Sequence, residues 1–582
     1  MPNSAYNFVP LSEKVFFPEW SKDVSMDKPF QDGISGDITL KLTTHSPIFV
    51  RNSDTDNDEE FFKLSQNGAY SIPGTSIKGV IRNVVEIATF SKIKAHNARY
   101  SIRDLTKGNF YASHMSKVQS IDGQRAYVPK VKAGWLTRRN NQIVILPCEF
   151  ARIERDDLIR KHKKLIGLKN SKRGKQRRQL FIDNNIPLTR NFYIDNNPSN
   201  HRHRKGKIFL KYSKAYLEPR ENTTRHNGTI VLTGQCGSKH MEFVFYNTDE
   251  NQTFTVTQEQ YDDFVFIHSE SGQPNEEWGY WRNVFNEEGN VPVFYLQENG
   301  QLKFGLAMMF KLAYRHTVHS AIGNTGNNKP HLSKEKDFAE TLFGYIDEKD
   351  ALRGRVNFSA LTAENNPQTH NSIVTILSNP KPTFYPYYIK QNANQEKWNT
   401  FMDENCEIAG WKRYPIKSRT NEQPPNNNTA VETRFTPLAA GTTFEGKLHL
   451  HNVRKCELGA ILWALDFGKR NECRHSVGMA KPYGFGSASI RIVSSNLTTN
   501  ENYGYHENNE QLLEECRQAF IDEMNNFLQG DWEQSCQIQN LIRYAMVHDG
   551  ERLLQRLCYP DLAPNNEFIA IKQNMDRLNP EI

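Results

Sequence analysis

The chain has 582 residues, of which 37% are hydrophobic, 11% aromatic and 24% charged, the make-up of a folded globular protein of several structural units and not of a disordered one. Its formal net charge of +7 favours an anionic partner without identifying it. No run approaches the roughly 18 apolar residues of a membrane span, and "MPNSAYNFVPLSEK" lacks the basic start and apolar stretch of a secretory signal, so the expectation is a cytoplasmic protein with no membrane partner.

The first patterned element is "GDITLKLTTHSPIFVR" (36–51), which alternates through Ile38, Leu40 and Leu42 and reads as a half-buried strand. An acidic polar loop, "NSDTDNDEEFFKLSQNG", separates it from "SIPGTSIKGVIRNVVEI" (71–87). There a Pro-Gly turn precedes Thr75 and Ser76, either of which can cap a helix. Ile77, Val80, Ile81, Val84, Val85 and Ala88 form its core-facing stripe. Lys78 and Arg82, at i and i+4, occupy the polar face. The spacing predicts a helix over 76–88.

Residues 92–210 carry two basic runs, "RKHKKLIGLKNSKRGKQRR" (160–178) and "HRHRKGK" (201–207). The first has ten Lys or Arg in nineteen positions, and is expected to be exposed, and mobile unless a polyanion orders it. "IFLKY", "GTIVLTG" and "MEFVFY", within 208–247, read as short strands of a β-rich subdomain. From 304 the chain reads "FGLAMMFKLAYRHTVHSAI", then "DFAETLFGYI" and "GRVNFSAL", a helix followed by a strand. Residues 361–443 form a long insertion rich in Asn, Pro and Thr, with aromatics at Phe384, Tyr385, Tyr387, Tyr388, Trp398, Trp411 and Tyr414.

"TTFEGKLHLHNV" (442–453) reads as a strand and "KCELGAILWALDF" (455–467) as an apolar helix. "HSVGMAKPYGFGSASIRI" (475–492) reads as a glycine-rich loop entering a strand. Beyond about 505 the pattern turns helical. The eight cysteines include no CxxC pair and read as reduced and structural; "CRH" (473–475) is too short for a metal cluster.

In this order, the strand, the "IPG" turn with its "TSIKG" helix, "LFG", "GRVNFSA", "ELGAILWALD" and "KPYGFGS" resemble the RAMP superfamily of CRISPR-associated proteins, and most of all the RNA-binding backbone subunits of type III effector complexes. The resemblance covers about 36–90 and 304–492. It implies an α+β protein with a ferredoxin-like, RRM-related core, large insertions and a helical C-terminal region. The expected parts are a first core segment (1–91), a basic insertion with a β-rich subdomain (92–303), the core continued (304–360), a thumb-like insertion (361–443), the core's end with its glycine-rich loop (444–500) and C-terminal helices (501–582). One core with a large insertion is favoured over two cores because no second IPG-type motif occurs.

The implied partners are guide RNA, target RNA and other effector subunits. At the helix start, Gly74, Thr75 and Ser76 would offer backbone N–H groups to a phosphate, and Lys78 and Arg82 would add charge. In the glycine-rich loop Gly478, Gly484 and Gly486 would remove side-chain bulk. Lys481 would add charge there, while Tyr483 and Phe485 would stack on bases. The loop lacks Walker spacing, which disfavours nucleotide hydrolysis. Backbone subunits cut target RNA with an aspartate between the first strand and the IPG turn. Asp54, Asp56 and Asp58 fill that loop here as catalytic and Mg²⁺-binding candidates, against the plainer reading of a solvated acidic loop. Arg315, His316 and His319 in "YRHTVHS" would line RNA or perform acid-base cleavage, though a structural role is favoured for the histidines. A metal-independent ribonuclease processing precursor guide RNA, and a purely structural RNA-binding subunit, stand as alternatives.

Overall fold

The computed structural model describes residues 2–578 apart from 53–58, 65–67, 96, 98, 105–109, 122–123, 197–199, 203–207, 211–212, 235–238, 271, 288, 299–300, 348–349, 378–381, 393, 422–431, 502–503, 506–508 and 563–564. The protein is α+β, with largely antiparallel sheets, and divides into two compact units: residues 1–98 with 315–582, and residues 99–314.

The first unit is organised by one central strand, β1 (Ile34–Thr44). Its alternation buries Ile38, Leu40 and Leu42 completely on one face and leaves Thr39, Lys41 and Thr43 on the other. Against the apolar face α1 (Gly74–Ala88) buries Ile77, Ile81, Val84, Val85 and Ala88. A 3.6-residue stripe thus meets a two-residue stripe, and each such burial contributes about 1.5–3 kcal/mol. The sheet runs β2 (Leu361–Ala363), β3 (Thr443–Val453), β1, β4 (Ser487–Thr499), antiparallel at every step. Between β3 and β4 lies α2 (Lys455–Asp466), which packs beside α1 and buries every residue from Cys456 to Leu465. It tolerates that because the helix Asn509–Leu528 covers its other side. The sheet's polar face carries cross-strand pairs, His449 Nδ1 to Asp37 Oδ1 at 2.6 Å and Lys41 to Glu364 at 2.7 Å.

Several expectations are corrected. Thr75 and Ser76 do not cap α1: Pro73 holds the N-cap position without a side-chain bond, and both residues already lie in the first turn. From 304 the expected helix and strand fall at Phe338–Phe343 and Val356–Phe358, whereas the apolar part before them is mixed, with strands at Gln301–Gly305 and Leu312–Thr317 and a helix at Val318–Gly323. Most of the 384–414 aromatics divide between two cores, Trp411 joining the main one. Phe384 and Tyr387 are buried in a satellite core with Ala5, Tyr6, Phe8 and Ile571, joined by Tyr388 and Tyr414.

In the second unit a sheet ordered by hydrogen bonding includes Thr189–Asp195, Thr223–Val231, Met241–Tyr246 and Gln142–Glu154. The 160–178 run keeps eight of its ten Lys and Arg exposed, as expected, but it is built into regular structure. It forms a 3-10 turn (Lys163–Lys169) and a helix (Gly174–Asp183) that bury Leu165, Leu168 and Phe181 in the unit's core. Arg177 and Arg178 are buried too, ion-paired to Glu242 at 3.2 Å and Glu277 at 2.7 Å. Of the second basic run, 203–207 lie outside the described residues.

Candidate functional site

The N-terminal half of α1 and the glycine-rich loop form opposite walls of a cleft of about 400 Å³. Ser76, Gly79, Val80 and Asn83 supply the helix wall, Ser476, Gly478 and Lys481 the loop wall, and Arg413 completes the lining. The helix start has no side-chain cap, though the Ser76 N–H already donates to the Pro73 carbonyl at 2.9 Å, so what the helix brings to the cleft is the positive end of its dipole and the side chains of Ser76 and Asn83.

Arg413 is the best-anchored cation. Its Nη1 donates to Asn83 Oδ1 at 2.8 Å, and its strand, Trp411–Arg413, pairs with Asn7–Val9 so that Asn7 stands opposite Arg413. Burial pushes its guanidinium down to about 10. Lys481 falls to about 8, through burial first and the neighbouring Arg413 second. Behind the cleft, Lys417 is buried with its Nζ donating to the Pro482 carbonyl at 2.5 Å, and burial takes it to about 8. Lys412, also lowered to about 8 by burial, sits 3.9 Å from the Tyr6 ring centre and donates to the Tyr388 hydroxyl at 2.8 Å. Among the described residues no carboxylate pairs with any of these four cations. Charge removed from water without a counter-charge is costly, and an anion in the cleft would offset that cost.

The loop's shape follows from close backbone contact. Gly478 has φ +83°, and a Cβ there would lie 2.2 Å from the Phe49 carbonyl oxygen, which accepts from the Met479 N–H at 2.8 Å. The same glycine therefore ties the loop to the root of the acidic segment. Asp54, Asp56 and Asp58 lie outside the described residues. The segment's described ends are clamped by a bridge between Arg51 and Phe61 and by Glu59 facing Arg434 at 3.5 Å.

Other predicted site residues are placed differently. Gly74 makes room for protein, not phosphate: a Cβ would come within 2.0 Å of the Phe358 carbonyl oxygen. Thr75 is exposed at the helix start. Lys78 and Arg82 lie outside the cleft lining, on the side of α1 that meets Phe343, 6.0 and 5.7 Å from its ring centre. Arg82 also pairs with Glu86 at 2.8 Å. Tyr483 and Phe485 cannot stack on bases, being 1% and 2% exposed. The Tyr483 hydroxyl donates to the Ile376 carbonyl at 2.5 Å, and Phe485 packs on Phe435. Arg315 faces Glu404 at 3.2 Å, and His316, whose charged form burial and Arg315 disfavour, lies within 3.4 Å of the Ser320 hydroxyl. Neither lines the cleft. His475 is buried against the Leu465 carbonyl at 2.9 Å, lowered to about 4 by burial, and burial raises the Cys473 thiol to about 12. Among the described residues no group of three or more His, Cys, Asp or Glu could hold a metal, and no helix is long and apolar enough to cross a membrane.

Sequence reasoning missed Arg413, Asn83 and Ser476. "WKRYP" carries no local signal, because Arg413 reaches the cleft through pairing with a strand some four hundred residues earlier.

A family model described as the RAMP superfamily matches residues 41–287. Among solved structures, Csc2 from Thermofilum pendens is similar at 17% identity and a TM-score of 0.15, over 35% of this chain and 56% of that one. A chain of the type III-B Cmr-beta complex bound to cognate target RNA is similar at 9% identity and a TM-score of 0.18, over 78% and 96%. The chain thus spans little more than half the length of the Csc2 chain. No curated protein matches it.

Proposed function

From a chain that carries a RAMP-superfamily region at residues 41–287, we propose a subunit of a type III CRISPR effector complex that binds guide RNA in the cleft between α1 and the glycine-rich loop. The observation that carries this reading is the pair Arg413 and Lys481, without a carboxylate partner among the described residues, facing the N-terminal half of α1 across about 400 Å³. A strand of phosphates supplies the missing counter-charge, and Ser76, Asn83 and Ser476 supply neutral hydrogen-bonding groups. The order β2-β3-β1-β4, with α1 and α2 packed together against one face, supports reading the first unit as a ferredoxin-like core.

Cleavage of paired target RNA belongs to the same reading. Asp54, Asp56 and Asp58 are hard oxygen donors of the kind Mg²⁺ takes, and the described root of their loop adjoins Gly478 in the cleft wall. Mg²⁺ bound there would stabilise charge developing at a scissile phosphate. No histidine is among the described residues lining the cleft, so metal-free histidine cleavage has no observation in its favour there.

The binding test is to purify the protein with its natural partners and sequence the RNA that comes with it. Guide-type repeat RNA should be recovered with the parent chain and lost from the Arg413→Met/Lys481→Met variant; equal recovery from both would remove the cleft from the reading. For cleavage, Mg²⁺-dependent cutting should vanish when Asp54, Asp56 and Asp58 become Ala. Cutting that persists at the same position excludes the aspartates.

A further inference from the structure

The basic run of the second unit has two distinct faces. Inward, Arg177 binds the buried Glu242, shared with Arg155 from outside the run, and Arg178 binds Glu277 while its guanidinium lies 4.0 Å from the Tyr280 ring centre. Outward, Lys163, Lys164, Lys172 and Lys175 are exposed and have no ion-pair partner among the described residues. Four more exposed cations each face a carboxylate: Arg160 with Asp157 at 3.2 Å, Lys161 with Glu218 at 2.7 Å, Lys169 with Asp156 at 3.8 Å and Arg173 with Glu276 at 2.7 Å. Four positive charges are left over.

The run's own helix ends on one further carboxylate, Asp183, whose Oδ1 accepts from Gln179 Nε2 at 2.7 Å, and none of these carboxylates pairs with the four lysines among the described residues. Arg190 Nη1 donates to His162 Nε2 at 2.9 Å, and burial, Arg190 and Lys161 together disfavour a charged His162. Lysines at this density ordinarily keep a segment disordered. Here the inward arginines and leucines order it during folding, so an anion meeting the outer face need not supply that ordering entropy. The free cations are flexible ammonium groups, suited to a chain of phosphates more than to reading base edges. Ile166, 57% exposed, is one apolar residue among them, too little for a membrane surface, which needs a continuous apolar face.

We propose that residues 160–178 form a second RNA-binding surface that takes the backbone of a stretch of RNA other than the one in the Arg413–Lys481 cleft. This rests on the RNA-binding reading of the first unit. The test uses the full chain and fluorescent poly-uridine RNA, with three variants: Lys163, Lys164, Lys172 and Lys175 all to Ala, the same four all to Arg, and Arg413→Met/Lys481→Met. Removing four contacting charges lowers the slope of log affinity against log salt by about 2.8, so the parent chain should lose about 50-fold more affinity than the Ala variant between about 50 and about 200 mM salt. The Arg variant should restore the slope, and circular dichroism should report the same fold for all.

An unchanged slope in the Ala variant, while the cleft variant still binds weakly, overturns the platform and leaves the cleft standing. Normal binding by the cleft variant with a lowered slope in the Ala variant does the reverse. Displacement of RNA from the cleft variant by poly-glutamate as readily as by unlabelled poly-uridine would also overturn the platform, reassigning it to an acidic protein.

Discussion

Replacing Lys481 by Met should make the free protein more stable and its RNA complex weaker. Met keeps the length and apolar body of the side chain and removes the ammonium group. In the fold the lysine falls from its ordinary 10.5 to about 8, chiefly through burial, which corresponds to a penalty on its charged form of up to about 3 kcal/mol. Below pH 8 the lysine is charged in both the folded and unfolded chains, so the whole penalty is present. Between about 8 and 10.5 the unfolded chain binds the extra proton, and the stability of the parent chain rises with pH through that window. Urea unfolding should therefore show Lys481→Met ahead at pH 7, with its lead shrinking above pH 8. In the complex the variant loses a charge-assisted bond of about 1.5–3 kcal/mol, or about 10- to 150-fold in affinity by fluorescence anisotropy. The parent's RNA affinity should itself fall as pH rises past 8. A variant that unfolds more easily at pH 7 and binds RNA as before would refute the reasoning, because the lysine would then be a structural group with a partner.

Tyr483→Phe should behave oppositely: losing the hydroxyl bond to the Ile376 carbonyl costs about 1–3 kcal/mol in urea unfolding and leaves RNA affinity unchanged. Deleting residues 1–9 removes the strand opposite Trp411–Arg413 and the Tyr6 ring against Lys412, and should weaken RNA binding by at least as much as Arg413→Met in the same anisotropy titration. Glu242→Gln takes the counter-charge from buried Arg155 and Arg177 and should destabilise the second unit by about 3–5 kcal/mol, read as an earlier urea transition of that unit.

Of the elements near the cleft, β1, α1 and α2 were legible because their signals are local. Period-two alternation marked β1, the 3.6-residue stripe marked α1, and the apolar run after "HNVRK" marked α2. Where a signal was compositional it misled. The 160–178 run looked solvated because ten cations outweigh its three apolar side chains, yet two carboxylates, Glu242 and Glu277, supplied from distant parts of the chain, let Arg177 and Arg178 go inside. Tyr483 and Phe485 looked available because glycines flank them. Gly478 serves instead to bring the loop backbone against Phe49, which turns the rings into the core.

By itself the sequence determined β1, α1, β3 and α2 of the first unit, since hydrophobic periodicity and proline or glycine punctuation act over a few residues. Only the tertiary structure decided which charges share a cleft. A helix shows different residues on different sides, so Ser76 and Asn83 meet Lys481 while Lys78 and Arg82 turn toward Phe343. Arg413 arrives there through a strand pairing that no short-range pattern encodes.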